Sequence, residues 1–204
     1  MISRKALVPA AFVACLLPLA WLGGRYLRND LGANPISELE NRLGFYALLM
    51  LLLSLACTPA QVVFKWKWPL LLRKLFGDYA FFYACLHLST YVGVDQFFDW
   101  GEIGKDLVKR KFITVGMATW VLLLPLAVTS TQGWQKRLGF RRWKRLHRLT
   151  YVAGVGALVH FTWRFKTLNA ETASYAAILL LLFAVRIVHW ARSRRPRAQV
   201  NPAV

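Results

Sequence analysis

The residues of this chain best suited to chemistry are its four histidines, His87, His147, His160 and His189. His87 sits in the middle of FFYACLHLSTYVG (81–93), a stretch without a carboxylate, lysine or arginine. His147 and His160 stand 13 residues apart in RRWKRLHRLTYVAGVGALVHFTW (141–163), and His189 closes a later apolar run beside Trp190. An ionisable ring inside an apolar helix is costly, faces a bundle interior and is by default a candidate for function. Three uses are open to it: a neutral ring bonded to a neighbouring helix, a proton relay in a small transporter, or an axial ligand. Two imidazoles at one depth on neighbouring helices can grip a haem iron from both faces. Such a centre passes electrons without keeping a vacant coordination position.

These rings need apolar helices to carry them, and the composition supplies them. The chain has 204 residues, 57% of them hydrophobic, and a mean hydropathy of +0.39. Runs of about 20 apolar residues match a hydrocarbon core roughly 30 Å thick. The sequence predicts an all-α integral membrane protein, a bundle of six transmembrane helices forming one domain over 1–204. The spans fall at about 6–23, 43–57, 77–94, 112–130, 149–163 and 173–190, followed by a basic tail over 191–204. The first span, preceded by Arg4 and Lys5, reads as an uncleaved signal anchor rather than a secretory leader.

Charge placement orients the bundle. With connections assigned alternately to two sides, seventeen basic residues share one side with both termini and nine lie on the other. Eight of the nine acids lie on that second side, and Arg186 alone among the basic residues falls within a span. Basic residues collect in short cytoplasmic loops, so both termini are expected in the cytoplasm. The net charge of +18 is therefore a topology signal beside lipid headgroups, not a nucleic-acid footprint. The outward 95–111 segment, with Asp95, Asp99, Glu102 and Asp106, reads as a solvated loop suited to partner docking. Pro59 and Pro69 mark the second connection and Pro125 a kink in the fourth span. Seven of the nine tryptophans, at 21, 66, 68, 100, 134, 163 and 190, fall near span ends, where indoles favour the interface.

Other chemistries drop out. Cys15, Cys57 and Cys85 lie singly in apolar runs, with neither disulfide nor zinc spacing. Gly154 and Gly156 begin a GxG, but Val159 stands where a dinucleotide fingerprint needs its third glycine. The helical rise puts His87 roughly 15 Å past Gly77 and His160 roughly 20 Å past His147. On parallel third and fifth spans both rings then reach the outer half of the membrane. Gly154 and Gly156 either leave room for a porphyrin or let helices pack closely. His189 and Arg186 are expected to snorkel to the inner interface.

The 141–163 stretch resembles the ferric-reductase-like transmembrane domain, whose fifth helix carries two haem histidines at this spacing. Together with RKLFGDYAFFYACLHLSTY (73–91) and KRKFITVGMATWVLLLPLAVTS (109–130), it is similar to the MsrQ (YedZ) branch of that family. Those proteins are haem-binding membrane subunits of periplasmic methionine sulfoxide reductase systems, and the similarity covers nearly the whole chain.

The resemblance implies haem b, one or two per chain, with flavin mononucleotide (FMN). It implies electrons from quinol or from a cytosolic flavin reductase, passed to a periplasmic MsrP-type molybdopterin subunit that repairs oxidised proteins. It implies His87 and His160 as an outer iron-ligand pair and His147 as an inner ligand. Relatives with two haems carry a second histidine on the third helix, one haem layer inward; here that position is Arg73 or Lys74. Thirteen residues also turn an ideal helix by about 220°, which points His147 and His160 to different sides unless the helix bends at Gly154 and Gly156. Two alternative readings are a stand-alone cytochrome b that reduces external ferric ions and a histidine-gated transporter without a cofactor.

Overall fold

A computed structural model describes residues 4–165 and 169–193; Lys166 and most of the basic tail lie outside them. Each described element is helical. The order is α1 (Arg4–Leu27), α2 (Pro35–Phe64), α3 (Pro69–Ser89), a π-helical turn (Thr90–Asp95), α4 (Trp100–Lys109), α5 (Lys111–Val128), α6 (Gln132–Leu138), α7 (Phe140–Leu146), α8 (Leu149–Arg164) and α9 (Ala170–Ser193). Four of these, α1, α2, α5 and α9, are long and apolar enough to cross a membrane.

Local chemistry sets the helix ends. The Asn34 side chain accepts from the Ser37 backbone N–H at 3.1 Å and Pro35 occupies the first turn, so α2 starts well before its apolar run. It continues through Pro59 to Phe64, where Lys65 takes the left-handed conformation (φ 60°) that closes the helix. Pro59 is thus inside α2 rather than in a loop, and Pro69 opens α3. Pro125 lies in the last turn of α5, where the Thr129 hydroxyl donates to its carbonyl at 2.6 Å. The 95–111 segment is not an open loop: Asp99 caps Gly101 and Glu102 and starts the amphipathic α4. The basic 131–148 connection likewise folds into α6 and α7, with the Thr131 hydroxyl accepting from the Trp134 N–H.

Two helix pairs form the frame. α2 lies along α3 and α5 lies along α8; α3–α5 and α2–α8 contacts join the pairs, α1 packs on α2 and α3, and α9 packs on α2 and α8. Tyr83 of α3 is fully buried and donates to the Cys15 carbonyl of α1 at 2.6 Å, while Tyr79 reaches the Phe12 carbonyl at 3.0 Å. Arg25 pairs with Glu38 at 3.1 Å, and Arg42 pairs with the same carboxylate at 2.9 Å, tying the ends of α1 and α2. Large apolar side chains cover the outer faces instead, among them Phe12, Leu17, Leu180 and Ile187. Arg186 does not snorkel. It turns inward, donates to the carbonyls of Leu182 and Leu55, and lies over the Tyr151 ring.

A tyrosine hydroxyl linking two helices in an apolar setting contributes roughly 0.6 to 1 kcal/mol. Tyr83→Phe is therefore expected to lower the thermal unfolding midpoint of the detergent-solubilised protein by a few degrees without changing its helix content by circular dichroism. An unchanged midpoint would show that this hydrogen bond contributes nothing net.

Candidate functional site

His87 occupies the last turn of α3, and His160 lies one turn before the C-terminal end of α8. Both helices reach the same end of the bundle, where the N-terminal ends of α2 and α5 meet them around a cavity of 290 Å³. The two imidazoles face one another across it with ring centroids 6.0 Å apart and planes inclined at 69°. A metal–imidazole bond of about 2 Å, with roughly 1 Å more to each ring centre, places two rings on one metal at roughly that separation.

Each ring is held in the same way. His87 Nδ1 lies 2.9 Å from the Glu40 carbonyl oxygen on α2, and His160 Nδ1 lies 2.7 Å from the Phe112 carbonyl oxygen on α5. A carbonyl only accepts, so both Nδ1 atoms carry the proton and donate. The Nε2 atoms are left as lone-pair donors, with no hydrogen bond among the described residues. Imidazoles that bind metals are oriented by this kind of outer hydrogen bond.

Four residues beyond each carbonyl stands a glycine that admits the ring. A Cβ on Gly44 would lie 3.2 Å from His87 Cε1, and one on Gly116 would lie 2.6 Å from His160 Nδ1. The close fit is thus built by Gly44 and Gly116, which the sequence pattern did not single out. Gly154 and Gly156 serve helix packing: Gly154 faces Leu55 and Leu179, and a Cβ on Gly156 would strike the Thr119 hydroxyl. The π-helical turn directly after α3 is a second feature with no sequence signal; such turns gather at functional sites.

The cavity wall is apolar at its deep end, with Leu48, Leu51 and Leu123, and polar at its mouth, with Glu40, Arg110 and Arg164. Two wall atoms, Glu40 Oε1 and Trp120 Nε1, are buried without a hydrogen-bond partner among the described residues. A buried polar atom left unpaired is costly, and its presence in a cavity wall fits a site shaped for a bound group.

His147 belongs to a different layer. It sits in the turn between α7 and α8, outside the helix that carries His160, so an ideal-helix rotation between them does not apply. Its ring packs on Trp143 with centroids 4.2 Å apart, and Nε2 lies 3.1 Å from the Thr129 hydroxyl. The Trp143 indole in turn donates to the Thr129 carbonyl at 2.9 Å. No second imidazole stands opposite His147 among the described residues, and His189 lies exposed on α9. Lys74 is paired with Asp78, whose other oxygen accepts from Ser130, so this layer is tied up by polar contacts between helices.

Residues 11–158 match the family described as "Ferric reductase like transmembrane component". The chain is 54% identical to the protein-methionine-sulfoxide reductase heme-binding subunit MsrQ of Rhodospirillum rubrum over 91% of its length and 89% of the relative's. Proteins of the same name from Herminiimonas arsenicoxydans and Caulobacter vibrioides are 43% and 42% identical, over 91% and 94% of this chain and 86% and 90% of theirs. The chain belongs to the MsrQ family. It is accordingly a membrane protein of the ferric-reductase-like transmembrane class, with four helices that meet the length and hydropathy needed to span.

The glycine contacts differ enough to be separated by experiment. Gly116→Ala drives a methyl against His160 Nδ1 and should break its bond to Phe112, whereas Gly44→Ala asks for a shift of only a few tenths of an ångström at His87. In nitrogen-15 spectra of histidine-labelled protein, the hydrogen-bonded Nδ1–H resonance of His160 should disappear in the first variant and that of His87 persist in the second. Equal survival of both resonances would mean that the glycines do not set the ring positions.

Proposed function

We propose that the chain is the haem b-carrying electron-transfer subunit of a bacterial methionine sulfoxide reductase system. One observation carries this: two imidazoles 6.0 Å apart, each fixed through Nδ1 by a carbonyl and each leaving Nε2 open to a shared cavity. The names of the relatives, heme-binding subunits of protein-methionine-sulfoxide reductase, point the same way.

In this reading His87 and His160 would hold the haem iron. When bound, haem b supplies an iron that gains and loses one electron without changing its ligands. The chain's own work is to hold the rings and keep water away. The Glu40 and Phe112 carbonyls fix the tautomer, Gly44 and Gly116 set the ring positions, and Leu48, Leu51 and Leu123 exclude solvent from the deep end.

The arrangement in the membrane that fits this role has six spans and both termini in the cytoplasm. α3 and α8 join the other four helices, α1, α2, α5 and α9, as spans, and His87 and His160 then lie toward the periplasmic side. Seventeen basic residues on the cytoplasmic side against nine on the other support that orientation. Electrons enter from quinol or a cytosolic flavin reductase, and FMN is part of the reading on the family resemblance. They leave to a periplasmic MsrP-type molybdopterin subunit that reduces methionine sulfoxide, so the chain converts no substrate itself. His147 would be the residue of this chain that holds an inner haem, through the Nε2 that lies 3.1 Å from the Thr129 hydroxyl.

Optical spectra of the purified protein test the assignment. The wild type should show a low-spin b-type spectrum, and His87→Ala or His160→Ala should each abolish the outer haem's contribution. A colourless wild type, or full low-spin absorbance in both variants, would contradict the reading. His147→Ala should lower the haem-to-protein ratio while the outer signal remains. An unchanged ratio would remove His147 from the ligand set.

A further inference from the structure

Resting on the reading of this cavity as a haem site, we propose that Arg164, assisted by Arg110, binds the carboxylate edge of the porphyrin and so decides which way round it sits. The cavity has two unlike ends. Leu48, Leu51 and Leu123 close one, and Glu40, Arg110 and Arg164 stand at the other, with Tyr91 and Asp95 of the π-helical turn beside them. Haem b has the same asymmetry, because two carboxylates project from one edge of an otherwise apolar disc. Burying that edge against the leucines would leave two anions without partners, a cost far above that of burying the apolar edges there. The edge therefore belongs at the mouth.

The two arginines differ in how free they are. Arg164 follows His160 by four residues, one helical turn, so its guanidinium stands on the same face of α8 as the ring that would hold iron. Among the described residues it forms no ion pair within 4 Å, Glu40 and Glu171 act on it only from farther away, and its guanidinium lies over the Phe165 ring at 4.8 Å. Arg110 is already paired with Asp106 at 3.2 Å, and Asp106 also accepts from the Tyr91 hydroxyl at 3.1 Å. Arg164 is thus the main partner and Arg110 a shared one. The carboxyl groups of Glu40 and Asp95 line the same mouth. A guanidinium suits the task because its planar fork can bind a carboxylate through two parallel hydrogen bonds.

The test uses the full chain as wild type, Arg164→Gln, Arg164→Lys and Arg110→Gln, each loaded with haem b or with its dimethyl ester, which lacks the charged carboxylates. Haem release to excess apomyoglobin is timed, and the low-spin spectrum confirms that the axial pair survives in each variant. With haem b, Arg164→Gln should release roughly fivefold faster than wild type, as expected for a partly exposed ion pair. Arg164→Lys and Arg110→Gln should fall between the two. With the dimethyl ester the four proteins should release at one common rate, because no carboxylate is left for the arginines to hold. The proposal is overturned if Arg164→Gln releases haem b at the wild-type rate, or if it speeds release of the ester by the same factor. A wild type that takes up no haem at all would overturn the site reading, and the orientation with it. A haem-binding wild type with an indifferent Arg164→Gln would overturn the orientation alone.

Discussion

The structure turns on one hydrogen bond made twice. On each side of the cavity a main-chain carbonyl, of Glu40 on one helix and Phe112 on another, fixes the proton of an imidazole on Nδ1 and turns Nε2 inward. The carbonyl lies four residues before a glycine, so one short helical segment both admits the ring and orients it. Neither half is useful alone. The pairing of α2 with α3 and of α5 with α8 matters because it brings the two halves to one depth and leaves a shared gap between them.

The rest of the fold maintains that constraint in an apolar solvent. Helices surrounded by lipid gain little from apolar contact alone, so close packing and interhelical hydrogen bonds hold them together. Tyr83 and Tyr79 bond α3 to α1, Arg186 bonds α9 to α2, and Ser130 bonds Asp78 at the far end. Glycines at 154 and 156 bring α8 close to α2, α5 and α9. Tryptophan usage divides by the same logic. Those at the helix ends are exposed, as interface anchors are, while Trp120 lines the cavity and Trp143 braces His147.

Much of this was legible in the sequence. The run around His87 and the spacing to His160 indicated two rings at one depth, and the structure brings those rings within 6.0 Å. The parts that were not legible depend on contacts between helices distant in the chain. Gly44 and Gly116 look like ordinary glycines in apolar helices until His87 and His160 are seen against them. Arg186 resembles a snorkelling residue because sequence does not reveal the inward carbonyls of Leu55 and Leu182. Charged segments at 95–111 and 131–148 read as loops, since short amphipathic helices at a surface carry no long apolar run. The expected rotation between His147 and His160 assumed one continuous helix, whereas α8 begins at Leu149.

In the function proposed for this chain, one iron is shared by imidazoles from α3 and α8. Electron–nuclear double resonance on the ferric protein, with histidine labelled in nitrogen-15 and haem at natural abundance, reads the axial ligands directly. The expected result is a low-spin centre with two strongly coupled nitrogen-15 nuclei, one from each ring. A protein in which no low-spin centre carries more than one such coupling would contradict it.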